Sequence, residues 1–214
     1  MEKPSTLIFD LDGTLSDPAV GVVRCMNYAL TSFDYTPLPD AEITQYIGPP
    51  LEQTIARLTG SDDVKHVDAV AAAYRERYGE IGYKENTVYP GITEMLDDLQ
   101  EAGIPLAVCT SKLQINAERV IDSFSLGNYF QFICGSSAKS SKAEQLETLV
   151  SQNTIDRKAI MVGDRAIDLT AAHSNGISSV GVLWGYGSMG ELKSEQPEEI
   201  VESPVALRDY ILSL

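Results

Sequence analysis

Thr6-Leu7-Ile8-Phe9-Asp10-Leu11-Asp12-Gly13-Thr14-Leu15 decides how the rest of the chain is read. From Thr6 to Asp10 the residues are mostly aliphatic, aromatic or β-branched, which suits a strand covered on both faces. The run ends on two carboxylates two residues apart. Residues i and i+2 share a face in extended chain, so Asp10 and Asp12 point toward one small volume. Two close carboxylates resist ionising together unless a cation compensates or one keeps its proton. That divergence is useful: one can bind a hard metal and attack, while the other donates and takes protons. Gly13 lets the chain turn sharply, and the Thr14 hydroxyl can steady the second carboxylate. A plain Asp-Gly turn closing a strand has the same local sequence, so the reading depends on the other strand ends.

Four further runs share this character: Ile104–Cys109, Phe130–Cys134, Lys158–Gly163 and Ser178–Leu183. Helical patterns over 112–123, 141–152 and 165–175 separate them. Strand alternating with helix implies right-handed βαβ units, hence an α/β fold with a three-layer, Rossmann-like parallel sheet. Ligands of such sheets collect past the C-terminal strand ends. From about Ser16 to Asn86 no convincing strand occurs. Helices are expected instead over 18–33, 40–47, 50–59 and 63–81, with Pro18 suited to a first turn and Ala69–Tyr74 strongly helix-forming. A helix over 92–102 then leads back to the second strand. The chain therefore divides into an α/β core, residues 1–15 and 87–214, and an inserted helical-bundle cap, residues 16–86, over the ligand edge.

The 214 residues include 31 Asp+Glu against 16 Lys+Arg, a net charge of −15 that argues against nucleic-acid polymers and anionic membranes as partners. An anionic substrate must also enter against that field, so the site needs local positive charge. Cys25, Cys109 and Cys134 are odd in number and form no CxxC pair, which suits buried free thiols in a reducing compartment. The N-terminus has no basic region followed by an apolar stretch, and no run is long enough to span a bilayer. The expectation is a cytoplasmic protein, monomer or homodimer, acting on a small molecule.

Val162-Gly163-Asp164-Arg165-Ala166-Ile167-Asp168 closes the fourth strand, with Asp164 at its tip and Asp168 one helical turn on. With Asp10 and Asp12 on a neighbouring strand, these carboxylates form an all-oxygen cluster of the kind Mg²⁺ prefers. Val108-Cys109-Thr110-Ser111-Lys112 ends the second strand, placing the Thr110 hydroxyl and following N–H groups at a helix start, a natural anion cradle. Lys142, opening a helix after a serine-rich loop, can bring positive charge to the same edge, and Lys139 can do so too.

In order and strand position, Asp10-x-Asp12-Gly13-Thr14-Leu15-x-Asp17, Thr110, Lys142 and Gly163-Asp164-x-x-x-Asp168 resemble the four motifs of the haloacid dehalogenase superfamily. The helical insert resembles the subgroup with a helical cap, which includes phosphoglycolate phosphatases and 5′-nucleotidases. The resemblance implies a Mg²⁺-dependent phosphatase acting on a small phosphorylated metabolite, phosphoglycolate- or nucleoside-monophosphate-like, through an aspartyl-phosphate intermediate. It implies Asp10 as nucleophile and Asp12 as general acid and base. Mg²⁺ would be held by Asp10, the Asp12 main-chain carbonyl and Asp164; Thr110 and Lys142 would bind the transferring oxygens, and Asp168 would orient Lys142 or a metal-bound water. The candidate metal set is thus Asp10, Asp12, Asp164 and Asp168. Candidate substrate-binding residues are Thr14, Thr110, Ser111, Lys142 and Gly48, the last in a cap loop, Tyr46–Leu51.

A sugar phosphomutase shares all four motifs and is the alternative. A noncatalytic phosphate-binding protein and a hydrolytic dehalogenase fit less well, since nothing essential to hydrolysis is missing and dehalogenation needs neither Asp12 nor a metal cluster. Ser111 stands where relatives often have Asn. Arg165 reads as a surface helix arginine, with charge at the site rim as the other possibility. Ala143 after Lys142 replaces the Pro common in phosphoglycolate phosphatases. Gly185-Tyr186-Gly187-Ser188-Met189-Gly190 matches a dinucleotide fingerprint, but it follows the last long strand with no full βαβ unit expected beyond it, so a flexible turn is the reading. His66 and His173 are expected as helix residues without a ligand partner.

Overall fold

The computed structural model describes residues 3–137 and 140–214. In chain order the elements are β1 (Leu7–Phe9), β2 (Ser16–Asp17), α1 (Ala19–Ser32), α2 (Asp40–Thr44), α3 (Leu51–Thr59), α4 (Val64–Glu80), β3 (Thr87–Val88) and α5 (Ile92–Glu101). They continue with β4 (Leu106–Leu113), α6 (Gln114–Ser123), β5 (Phe130–Ser136), α7 (Lys142–Ser151), β6 (Ile160–Gly163), α8 (Ala166–Ser174), β7 (Ser178–Val182), α9 (Met189–Ser194), β8 (Glu199–Val201) and α10 (Pro204–Leu212).

Six strands form one sheet in the order β5-β4-β1-β6-β7-β8, every neighbouring pair parallel. Side-chain alternation explains why the strand sequences are apolar throughout. Leu7, Phe9, Leu106, Val108, Ile160 and Val162 face one layer, where α5, α6 and α10 supply residues such as Leu96, Val120 and Leu207. Ile8, Ala107, Cys109 and Met161 face the other, against Leu146 and Leu149 of α7 and Ala171 and Ala172 of α8. Both faces are covered, so neither parity of the strand is free to be polar. This is the expected three-layer α/β architecture.

Between β2 and β3 the helices α1 to α4 bury a cluster of their own, including Met26, Leu30, Ile43, Ile55 and Val70. β2 and β3 pair antiparallel, Ser16 with Val88 and Asp17 with Thr87, where the helical segment leaves and rejoins the sheet. Two residues per strand are too few for any alternation, which is why this pair carries no sequence signal.

Two differences from expectation bear on the site. β4 runs on to Leu113, so Thr110 and Ser111 lie in the strand's last turnless residues and not at the start of α6. β8 was not expected: it is three residues beginning with exposed Glu199, too short and too polar to stand out. Because β8 pairs parallel with β7 across α9, the glycine run lies inside a short β7-α9-β8 unit; no further full βαβ unit follows it among the described residues. Among the described residues no helix is long and apolar enough to cross a membrane. Lys139 lies outside the described residues.

Candidate active site

β1 pairs with β4 on one side and β6 on the other, with Phe9 registered against both Val108 and Val162. One or two residues beyond that level stand Asp10, Thr110 and Asp164. The chain winds from β1 out to β5 and then returns to the opposite side at β6, so this tip is the sheet's switch point, where such folds bind ligands. A cavity of about 360 Å³ opens there, lined by Asp10, Asp12, Thr110, Ser111 and Lys142 on the sheet side.

Lys142, only 2 % exposed, occupies the first turn of α7, whose Ser141 and Glu144 form a capping box. Its Nζ lies 2.9 Å from Asp10 Oδ1 and donates to Asp168 Oδ1. The Asp10 contact is close enough for an ion pair but off the line of a hydrogen bond, and Asp10 Oδ1 is left without a hydrogen-bond donor. Burial works against the Lys142 proton, yet Asp10 and Asp168 more than offset it and hold the ammonium above its ordinary pKa. Asp168 Oδ2 accepts from the Arg165 N–H at 3.1 Å. Burial raises the Asp168 carboxyl to about 6, with Lys142 pulling it down.

Asp164 is fully buried, its Oδ1 accepting from the Thr14 hydroxyl (3.2 Å) and its Oδ2 from the Tyr186 N–H (2.8 Å). The Thr14 hydroxyl therefore serves Asp164 and not Asp12, and Thr14 does not line the cavity. Gly13 sits at φ +90°, and a Cβ there would meet Asp164 Oδ2 at 2.3 Å, so only glycine permits this approach. Gly185 and Gly187 pack equally closely: their Cβ atoms would fall 2.4 Å from Asp164 Oδ2 and 1.8 Å from its carbonyl oxygen. The glycine run is thus a turn packed closely against Asp164. Trp184 Nε1 completes it by donating to the Thr14 carbonyl at 2.9 Å.

Asp10, Asp164 and Asp168 bring ligand oxygens within 4.8 Å of one another, all three residues buried. Burial drives the Asp164 carboxyl well above the ordinary range, and Asp168 and Asp10 push it the same way. Three carboxylates face one ammonium, and a buried oxygen of Asp10 has no donor. A hard divalent cation fits this set: all donors are oxygen and the charge is left uncompensated without one. The Asp12 side chain is not part of the trio.

Asp12 belongs to a second network. Its Oδ2 lies 2.7 Å from Lys112 Nζ, which also donates to Tyr78 Oη at 2.7 Å. Tyr78, 1 % exposed, comes from α4 of the helical segment and accepts a further bond from Asn86 Nδ2 at 3.0 Å. Burial raises the Asp12 pKa, while Lys112 lowers it. Sequence reading missed Lys112, although the signal was present: it lies two residues beyond Thr110 in the same strand, hence on the same face. Tyr78 left no such trace.

Gly48 lines the cavity from the helical segment, packed against the Arg165 side chain. Arg165 is not a surface helix arginine. It caps the start of α8, pairs with Glu191 Oε1 at 2.8 Å and donates to the Ile47 carbonyl next to Gly48. His66 and His173 lie on α4 and α8, as expected, and bond to Tyr35 Oη (2.8 Å) and Ser179 Oγ (2.9 Å). All three cysteines are free, Cys25 and Cys109 buried and Cys134 partly so.

A parallel α/β sheet with clustered carboxylates at its switch point defines the class. The family model described as haloacid dehalogenase-like hydrolase matches residues 7–182, and the chain belongs to that family. Relatives include a 5′-nucleotidase of Pseudomonas aeruginosa, 35% identical over 97% of this chain and 95% of that protein. A phosphoglycolate phosphatase of Agrobacterium fabrum is 31% identical over 94% and 89%. Tyrosine-protein kinase PtkA of Mycobacterium tuberculosis is 35% identical over 87% of this chain but 64% of its own length. Among solved structures, a predicted phosphatase from Clostridium acetobutylicum superposes with a TM-score of 0.94 at 33% identity, covering 100% of both chains.

Proposed function

We propose that the protein is a Mg²⁺-dependent phosphatase that hydrolyses small phosphomonoesters through an aspartyl-phosphate on Asp10. The observation that carries this is buried Asp10, which lines the cavity beside Lys142 and belongs to a trio of carboxylates behind it. In this reading residues 16–86 cap a core of residues 1–15 and 87–214.

Asp10 attacks phosphorus with one carboxylate oxygen and the ester oxygen departs. Asp12 gives that oxygen a proton, then takes one from the water that hydrolyses the acyl phosphate. Lys142, Thr110 and the Ser111 N–H hold the transferring oxygens, and Asp168 fixes the Lys142 ammonium. Asp10, Asp164, the Asp12 carbonyl and, through its neighbours, Asp168 would hold Mg²⁺. The ion supplies charge neutralisation between the anionic nucleophile and the phosphate. The same local charge lets a small anion bind despite the net charge of −15.

The leaving group faces the helical segment. There the lining is largely apolar and aromatic, with Met26, Ile43, Tyr46 and Tyr74, and Arg75 is engaged by Glu52 at 2.5 Å. A cavity of about 360 Å³ with such walls suits a nucleoside better than a two-carbon acid. Nucleoside monophosphates are therefore expected to outrank phosphoglycolate. The relatives described above include hydrolases and no mutase, and the mutase alternative is not favoured.

The test is phosphate release from nucleoside monophosphates, phosphoglycolate, sugar phosphates and pyrophosphate, with Mg²⁺ and with EDTA. Turnover that needs Mg²⁺ and vanishes in Asp10→Asn is the expected result. Metal-independent turnover, activity surviving in Asp10→Asn, or an isomerised sugar phosphate in place of free phosphate contradicts it.

A further inference from the structure

Asp12 has one oxygen engaged and one free. Its Oδ2 is taken by Lys112, whereas Oδ1 is buried without a hydrogen-bond partner. A carboxylate that must deliver a proton to one place benefits from this asymmetry, because rotation about its last bond would otherwise exchange the two oxygens. What fixes the rotation is Lys112, and Lys112 is itself fixed from the opposite side of the cavity. Its Nζ donates to Tyr78 Oη and stands 4.3 Å from the centroid of the same ring. Tyr78 is locked in turn by Asn86, one residue before β3 where the helical segment rejoins the sheet. Tyr74 stacks on Tyr78, with ring centroids 5.7 Å apart and planes 12° from parallel.

We infer that Lys112, held by Tyr78, is a positioning residue for Asp12, fixing the rotation of its carboxylate at the cavity wall only when the helical segment is docked on the sheet. Neither residue handles the transferred proton. The ammonium stays charged between Asp12 and Tyr78 and orients the carboxylate. When the segment lifts to release product, Lys112 loses Tyr78 and the Asp12 carboxyl loses its fixed rotation. Proton delivery is thereby tied to closure, which guards the chemical step against an open, solvent-filled site.

This inference rests on the phosphatase reading, and leaving-group chemistry separates the two. An aryl phosphate such as p-nitrophenyl phosphate expels a stabilised phenolate that needs little protonation; an alkyl phosphate such as a nucleoside 5′-monophosphate needs the acid. The measurement is kcat/KM, which reports the steps through phosphoryl transfer, for both esters in wild type, Lys112→Met, Lys112→Arg and Tyr78→Phe. Lys112→Met should lower kcat/KM for the alkyl ester by about 100-fold, within the range of a lost general acid, and for the aryl ester by less than about tenfold. Lys112→Arg should restore part of the alkyl activity. Tyr78→Phe, which removes one oxygen and keeps the ring, should show the same selectivity more weakly; if Lys112→Met does not fold, as judged by circular dichroism, Tyr78→Phe decides. Equal losses on both esters, or an unchanged ratio, overturn the positioning role while leaving the phosphatase intact. A wild-type protein inactive on both esters overturns the phosphatase reading and this inference with it.

Discussion

Lys142 and Lys112 are both buried ammonium groups facing carboxylates of the first motif, but they belong to regions built on different terms. Lys142 sits at the sheet edge, where Asp10, Asp164 and Asp168 are held by residues of the α/β core alone. Lys112 sits at the seam, where its second partner, Tyr78, comes from the helical segment. Arg165 marks the seam again by reaching the Ile47 carbonyl. At the edge each carboxylate takes its partners from the core: Asp10 and Asp168 from Lys142, and Asp164 from Thr14 and Tyr186. Contacts at the seam exist only while the two parts touch. In the proposed reaction, phosphate chemistry would rest on the region built from the core alone and leaving-group chemistry on the seam.

Removing the cation of the edge should have the largest effect. Lys142→Met leaves Asp10 and Asp168 buried without their counter-charge, so a loss of about 3–5 kcal/mol in urea unfolding with EDTA present is expected. Hydrolysis should vanish with it. An equally stable variant would show that the edge is less tightly coupled than its burial implies.

At the seam the expected damage is functional more than thermodynamic. Arg165→Met deletes the bond to Ile47 and the pair with Glu191. A drop of about tenfold in kcat/KM, with unfolding free energy changed by no more than about 1 kcal/mol, is expected. A large loss of stability with unchanged kcat/KM would reverse the contrast drawn between the two regions.

The smallest effect concerns the layer behind the edge. Cys109 and Cys134 are register partners on β4 and β5. A hydrogen bond from Cys109 brings the Cys134 thiol down to about 7, and the Gln145 amide helps, while the same contact and burial push Cys109 up. Thiolate is the reactive form, so alkylation of Cys134 by iodoacetamide should rise with pH and reach half its maximum near pH 7. Mass spectrometry should find Cys109 and Cys25 unmodified at that pH. Equal labelling of all three would contradict the thiol pairing.

The sheet edge was legible in the sequence because periodicity and motif spacing act over a few residues. An apolar run ending on Asp10, or on Gly163 and Asp164, states both the strand and the chemistry at its tip. The seam was largely illegible. Tyr78 lies 34 positions from Lys112, and Arg165 lies 118 from Ile47, and no local pattern encodes such a meeting. Lys112 was half-legible, sharing a strand face with Thr110. β8 was hidden because three residues against an inner neighbour need no apolar run of their own. The glycine run reads as a turn in the sequence, and the structure adds its purpose: the missing side chains permit close approach to Asp164.

In the proposed reaction Asp10 becomes covalently phosphorylated. Asp12→Asn should leave aryl transfer to Asp10 feasible while removing the base for the second half-reaction. With p-nitrophenyl phosphate and Mg²⁺ it should release one burst of p-nitrophenol and accumulate one hydroxylamine-labile phosphoryl group, which mass spectrometry should locate on Asp10. Steady turnover with no phosphorylated protein, or a phosphoryl group on any other side chain, would contradict it.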